Sequence, residues 1–257
     1  MIKIEMLGPA QFWYGDCVLA LRPLEKLVHI ALRVAGGTRG MTELAEDVWV
    51  VPTPGSASTL RGCLSKARAK LVAAGGAADE LTRTVRLSGG RTIVTSPRAW
   101  DTDTDRFRDG AAAAHAAYDA EQFGEAQALA DAALKLWYDD PLPDAGGRPF
   151  ALRYIEELKA MHWGVTLTRV KADICLGWLP EVTAELRQLA VERPGEGEIP
   201  VLLATALYRS DMASEAAEVC QRAIAEREGQ GIEARRLQGL QHAILTEQAP
   251  LYGRLER

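Results

Sequence analysis

The chain has 257 residues, 47% hydrophobic and 25% charged, with a formal net charge of −5. That length predicts two domains, and that balance predicts packed cores rather than a disordered polymer. No apolar run approaches the ~20 residues of a membrane span, and Met1-Ile2-Lys3-Ile4-Glu5 lacks the apolar stretch of a secretory signal, so a cytoplasmic protein with no membrane partner is expected. The overall acidity conceals a split: residues 1–98 hold 13 Lys and Arg against 8 Asp and Glu, and the remainder holds 17 against 27. A basic first domain favours phosphate-bearing partners and makes such association salt-dependent.

Residues 2–7 alternate apolar with polar and break at Gly8-Pro9, which predicts a half-buried strand and a turn. Gln11–Tyr14 and Cys17–Leu21 around Gly15-Asp16 predict a hairpin. Pro23 suits the first turn of a helix carrying Leu24, Leu27, Val28, Ala31, Leu32 and Ala35, stopped by Gly36-Gly37. Thr42 is the expected cap of a short second helix ending at Val48-Trp49, with Glu43, Glu46 and Asp47 along it. After the loop from Val51 to Ser58, a third helix is expected from near Ser58-Thr59 to about Leu71, and Thr82–Leu87 with Arg91–Thr95 predict a second hairpin around Ser88-Gly89-Gly90. Sheet, three helices and hairpin in that order describe a winged helix-turn-helix.

Beyond Pro97 the apolar period becomes 3.6 residues. Glu125-Ala126, Glu181-Val182 and Glu215-Ala216 each open a helix after a short turn with an apolar residue (Phe123, Trp178, Met212). The last two lie 34 residues apart, the tetratricopeptide period; the wider first interval fits a Pro/Gly-rich insertion at Tyr138–Pro149. The expected fold is therefore mainly α: a winged helix-turn-helix with a small sheet and a β-wing over 1–98, then an all-α tetratricopeptide-like domain over 99–257.

The third helix carries the most chemistry. Leu60, Cys63, Leu64, Ala67 and Leu71 form a core stripe; Arg61, Ser65 and Arg68 lie on one flank, Lys66 and Lys70 on the other, and Gly62 and Ala69 between them. Small residues in the centre with cations on both shoulders suit close approach to a major groove, where Arg reads guanine and Lys or Ser holds phosphate; Arg68 is the expected guanine partner. A solvated cationic face is the plain alternative. Thr59 opens this helix, Arg83, Arg86 and Arg91 sit on the wing, and Arg22 and Lys26 begin the first helix, with Glu25 between them weakening that pair as a phosphate site. The four cysteines and four histidines are dispersed without metal-ligand spacing, the Gly pairs form no phosphate-binding loop, and no nucleophile–base pair is visible. Neither an enzyme nor a cofactor is expected.

These residues resemble the Streptomyces antibiotic regulatory protein family (SARP), which joins an OmpR-type winged helix-turn-helix to a bacterial transcriptional activation domain. The likeness runs through Leu7-Gly8-Pro9, Val48-Trp49, Ser58-Thr59-Leu60 and Leu64–Leu71, then Ala133–Trp137 before Pro141-Leu142, Ala206–Ser210 before Glu215-Ala216, and Arg236-Leu237 and Ala243-Ile244-Leu245 before Ala249-Pro250-Leu251. Lys66 stands where the family has Arg, and Gly89-Gly90-Arg91-Thr92 where it has a Pro-Gly-Tyr segment. The resemblance implies an activator that binds tandem direct repeats in double-stranded DNA upstream of antibiotic or other secondary-metabolite biosynthetic promoters. Its protomers would lie side by side on the DNA and recruit RNA polymerase holoenzyme. It implies a polymerase contact in the loop after the second helix, Val50 to Ala57, chiefly Val51, Pro52, Thr53, Pro54 and Ser56. No nucleotide-binding or phosphopeptide-binding extension is expected, which leaves regulation to abundance. The competing readings are a protein-interaction scaffold with weak or lost DNA binding, and a ligand sensor using the aromatic residues of the helical repeats.

Overall fold

The computed structural model describes residues 1–49, 51–97, 100–230, 232 and 234–246; Val50, residues 98 and 99 at the expected domain boundary, and Ala249-Pro250-Leu251 lie outside the described residues. The chain forms two compact units, Met1–Ala111 with Ala132–Gly164, and Ala112–Asp131 with Val165–Arg257. The first unit thus reaches past residue 98 and takes in helical segments beyond the wing.

In the first unit, strand β1 (Ile2–Glu5) buries Ile2 and Ile4 and leaves Lys3 and Glu5 half-buried, as a two-residue period requires. It pairs antiparallel with β2 (Gln11–Tyr14), which turns through Gly15 at φ +57° into β3 (Cys17–Val18). Periodicity did not reveal its other neighbour, the parallel strand β7 (Asp101–Thr102), which completes the order β3-β2-β1-β7. Helix α1 (Pro23–Val34) starts with Glu25 accepting the Arg22 N–H at 2.9 Å. Helix α2 (Met41–Val48) is capped at Gly40 rather than Thr42, because Glu43 accepts the Gly40 N–H at 3.1 Å. Helix α3 (Ser56–Ala73) is longer at both ends than expected. These three helices pack through Ile30, Leu32, Leu44, Leu60, Leu64 and Leu71, all buried. A one-turn helix, α4 (Ala78–Leu81), precedes the hairpin of β5 (Arg83–Arg86) and β6 (Thr92–Thr95), and β4 (Thr38–Gly40) joins β6 to make a three-stranded wing, β4-β6-β5.

Helix α5 (Asp103–Asp119) begins on a buried carboxylate. Asp103 accepts the Met6 N–H at 2.8 Å and the Leu7 N–H at 2.9 Å. Burial raises this carboxyl above its ordinary value, and the backbone donors counteract that rise in part. Tyr138 donates its N–H to the Leu7 carbonyl at 3.2 Å and its hydroxyl to the Pro9 carbonyl at 2.8 Å, and Leu142 donates its N–H to the Met6 carbonyl at 3.1 Å. The Tyr138 ring occupies the place a side chain at Gly8 would take. The Tyr138–Pro149 segment, read from sequence as an insertion between repeats, is thus a strap seated on the β1–β2 turn. Its 3-10 turn (Pro143–Ala145) buries Ala145 beside Leu142.

The remaining helices are α6 (Phe123–Leu134), α7 (Pro149–Leu176), α8 (Leu179–Glu192), α9 (Glu198–Arg209), α10 (Ala213–Gly229) and α11 (Arg235–Leu245). Within the second unit the chain leaves a helix through a left-handed residue three times, at Glu121 (φ 60°), Gly177 (φ 86°) and Asp211 (φ 61°). Each time the next N–H returns to the carbonyl five residues back: Gln122 to Ala117 at 2.9 Å, Trp178 to Asp173 at 3.0 Å and Met212 to Leu207 at 3.0 Å. That bond closes a helix end of the Schellman type. Glu125, Glu181 and Glu215 follow in register, each before a buried Ala126, Val182 or Ala216. The repeat is therefore structural, with Gln122 rather than Phe123 the counterpart of Trp178 and Met212.

This unit also encloses a charged cluster. Arg169 reaches Asp173 at 3.0 Å and Asp131 at 3.6 Å and bonds Glu185, while Oδ1 of Asp173 is buried without a hydrogen-bond partner. Burial, with Asp131 and Glu185 close by, pushes the Asp173 carboxyl up to about 6 despite Arg169.

Asp103→Ala strands two buried N–H groups, so urea denaturation is expected to show a loss of ~2–4 kcal/mol. The exposed Asp109→Ala should cost ~0.5 kcal/mol or less; equal losses would deny the clamp. Asp173 holds its proton more tightly folded than unfolded, so its contribution to stability is lost as pH rises from about 4 to about 6. Asp173→Asn is expected to flatten that part of the stability–pH curve and to raise stability at pH 7 by ~1–3 kcal/mol, and an unchanged curve refutes the assignment.

Candidate nucleic-acid interface

Helix α3 buries Leu60, Cys63, Leu64, Ala67 and Leu71 against the first unit's core, as its pattern predicted. Its other side presents Thr59, Arg61, Ser65, Lys66 and Ala69, all exposed. A side chain at Gly62 would meet no atom within 4 Å, so the centre of this face is open. The Thr59 hydroxyl donates to the Gly55 carbonyl at 3.2 Å, closing the helix's first turn.

The cations named from sequence divide into two sets. Arg61, Lys66, Arg86 and Arg22 are exposed and make no ion pair among the described residues. Arg61 borders a hollow of about 240 Å³ that also takes in Arg91, Thr42 and Thr92 from the α2 start and the wing. Arg22, Thr59 and Lys66 border a second hollow, of about 470 Å³, beside the start of α1. The other set has partners inside the fold. Lys70 donates to the Glu25 carboxylate at 2.6 Å and the Ala20 carbonyl at 2.7 Å, and Lys26 donates to the Ala10 carbonyl at 2.6 Å. Burial alone would raise the Glu25 carboxyl, but Lys70 and the Arg22 N–H outweigh it and hold the group below the usual carboxylate range. Arg83 pairs with Asp79 at 2.6 Å, and Arg91 with Glu43 at 2.8 Å.

Arg68 is half-buried. Its Nε donates to the Thr82 hydroxyl at 3.1 Å and its Nη2 to the Thr84 hydroxyl at 2.7 Å, and burial lowers its pKa. The guanidinium expected to read a base is held here between the middle of α3 and β5 with the residue before it. Val51, Pro52, Thr53 and Pro54 are exposed, whereas Ser56 is buried as the first residue of α3, where its hydroxyl accepts the Thr53 N–H at 2.9 Å. The end of α2 before this loop is held by Arg148, whose Nε donates to the Val48 carbonyl at 3.0 Å.

Residues 102–245 match the family described as the bacterial transcriptional activator domain. The chain belongs to that family. It is 30% identical over 221 residues to Regulatory protein AfsR of Streptomyces griseus, covering 85% of this chain and 22% of that protein. It is 29% identical over 223 residues to Regulatory protein AfsR of Streptomyces coelicolor, covering 85% and 21%. The chain therefore spans about a fifth of the length of these relatives. The structure titled "Mycobacterium tuberculosis EmbR in complex with low affinity phosphopeptide" superposes with a TM-score of 0.82 at 24% identity, over 96% of this chain and 66% of that one, and has the same fold. The SARP resemblance is borne out.

In this bacterial transcriptional activator domain protein, three site features lay beyond sequence reasoning. Thr82 and Thr84 as anchors of Arg68, and β4 as the third wing strand, are contacts between distant segments with no local signal. Glu25 as the counter-ion of Lys70 was announced only by its place between Arg22 and Lys26.

Arg68→Ala is expected to lower stability by ~1–2 kcal/mol, because the buried Thr82 hydroxyl loses its donor. Arg68→Lys should not restore it, since an ammonium lacks the fork that spans two hydroxyls. Weakened DNA binding at wild-type stability in urea denaturation would instead put Arg68 on a base.

Proposed function

We propose that this chain is a sequence-specific DNA-binding transcription activator of the SARP type. The observation that carries the proposal is the uncompensated cationic face of α3. Arg61 and Lys66 of that face, and Arg86 of the adjoining wing, make no ion pair among the described residues, and Gly62 leaves the centre of the face open. In this reading α3 enters the major groove. Arg61 reads a base edge, and Ser65, Lys66, Thr59 and Arg22 hold phosphates around it. Arg86 and Arg91 bring the wing to the neighbouring backbone. Arg68 and Lys70 keep α3 in place from within. The DNA-binding domain spans 1–98 and the activation domain 99–257.

The relatives' regulatory character and the family's helical domain support activation rather than simple occupancy. Tandem direct repeats spaced near one helical turn, about 10 bp, would set protomers side by side on one face of the duplex. Val51 to Pro54 form an exposed stretch between anchored ends, which suits a contact with RNA polymerase holoenzyme. Secondary-metabolite promoters are the proposed targets, and the cytoplasm the proposed location.

The scaffold reading keeps one specific support. The second unit exposes Trp178 and Met212 at equivalent turn positions, and large exposed apolar side chains mark partner surfaces when they recur together. That surface is compatible with an activator, whose helical half must also meet a partner.

The test is selection of genomic fragments by the purified protein at two salt concentrations, followed by affinity measurement on the enriched sequence. Gly62→Glu separates binding from folding. Space is open at Gly62, and a helical Gly is worse than Glu by ~0.5–1 kcal/mol, so its melting temperature should equal or exceed wild type. Its charge and bulk should nevertheless abolish enrichment of a spaced repeat. Undiminished binding by Gly62→Glu would remove this face of α3 from the interface.

A further inference from the structure

Helix α2 holds the wing sheet through two carboxylate–guanidinium pairs of different kinds. Asp47 grips Arg39 of β4 with both oxygens, at 2.8 and 3.1 Å, and its side chain is 11% exposed. Glu43 meets Arg91, at the foot of the wing turn, through Oε1 alone at 2.8 Å, with side chains 44% and 62% exposed. Its other oxygen, Oε2, accepts the Gly40 N–H that caps α2. The Asp47 pair is thus the sheltered link to the sheet, and the Glu43–Arg91 pair is the exchangeable one, because an exposed ion pair contributes little net free energy.

The position of the exchangeable pair gives it a consequence. Glu43 and Arg91 border the same hollow as Arg61, together with Thr42 and Thr92. Glu43 is the one acid on that border among the described residues. A phosphate that approaches Arg91 from this hollow meets a guanidinium already occupied by a carboxylate, while Arg61 on the far border faces the base edges. Resting on the DNA-binding reading above, we propose that Glu43 is a built-in competitor of the DNA backbone. Its carboxylate occupies Arg91 until a phosphate displaces it, and so holds down sequence-independent affinity while leaving the base-reading side of α3 untouched.

The experiment uses the full chain in four forms: wild type, Glu43→Gln, Arg91→Ala and the double variant. A labelled duplex of mixed sequence is the probe, followed by fluorescence anisotropy across a salt series. Gln keeps a carbonyl oxygen for the Gly40 N–H, so α2 stays capped and melting temperatures should match. Glu43→Gln is expected to bind several-fold more tightly at low salt. Its plot of log affinity against log salt should steepen by about one, because the Arg91 charge at the backbone is no longer offset by a carboxylate. Arg91→Ala, which removes a backbone contact, should bind more weakly than wild type, and the double variant should behave as Arg91→Ala. Equal or weaker binding by Glu43→Gln, while wild type binds, overturns the competitor role alone. So does a gain that survives in the double variant. Absence of binding by all four forms at every salt overturns the DNA-binding reading itself, and the inference with it.

Discussion

The Asp103 carboxylate takes the N–H groups of two consecutive residues at the end of β1, and the first unit is organised around that grip. A buried carboxylate is tolerable only where fixed donors replace water, and the β1 end supplies them because β7 runs parallel to β1 directly before Asp103. The same turn receives the strap from the other side through Tyr138 and Leu142. Burial, followed by the nearby Asp103, pushes the Tyr138 phenol up to about 12, so it remains a neutral donor to Pro9. Leu142, Ala145 and Ala151 join the core of α1, α2 and α3. The winged fold in this protein is consequently completed by chain that follows the wing.

Acidic residues decide which cations remain available. A count of Lys and Arg over residues 1–98 treats all as equal, yet Lys70 is neutralised by a buried Glu25 and Arg91 is paired with Glu43. Lys70 lies toward α1 on the inner flank of α3, where an unpaired ammonium would suffer the cost of burial. Arg61 and Lys66 lie one turn or more earlier and outward, where water supplies the solvation. The modest basic surplus of the first domain is thereby concentrated on one side of one helix and the adjoining wing. Local concentration of charge, more than its total, raises the potential a phosphate meets.

Local pattern carried much of the architecture. The alternation in β1, the Pro23 start and Gly36-Gly37 stop of α1, the core stripe of α3 and the 34-residue repeat all correspond to structure, because each is a relation among near neighbours in sequence. What stayed hidden depends on distant segments. β7 and β4 are two and three residues long and have no periodicity to show. The strap read as loop because its Pro and Gly residues are turn formers, while the feature that seats it is the missing side chain of Gly8. For the interface, the outward face of α3 was legible from the helical wheel. The role of Arg68 was not, since the wheel places it beside Arg61 and cannot know that two threonines of β5 and its approach stand within reach.

The contacts between the helices and the wing differ in exchangeability, and the differences fall in a sensible order. Direct reading of base edges requires side chains held within a fraction of an ångström. The links that orient α3 and the sheet are correspondingly the sheltered ones, Arg68 on Thr82 and Arg39 on Asp47. Contact with the phosphate backbone demands less, because charge attracts over several ångströms and the duplex varies in shape with sequence. The one link at the wing turn, Glu43 to Arg91, is exposed and single-stranded in its bonding, so it can open without disturbing the others. In the proposed function, such an arrangement would be rigid where bases are discriminated and adjustable where only phosphate is met. On the same proposal, a carboxylate on the border that Arg61 shares is tolerable because it faces a contact that would trade partners, on a helix whose own position is secured elsewhere.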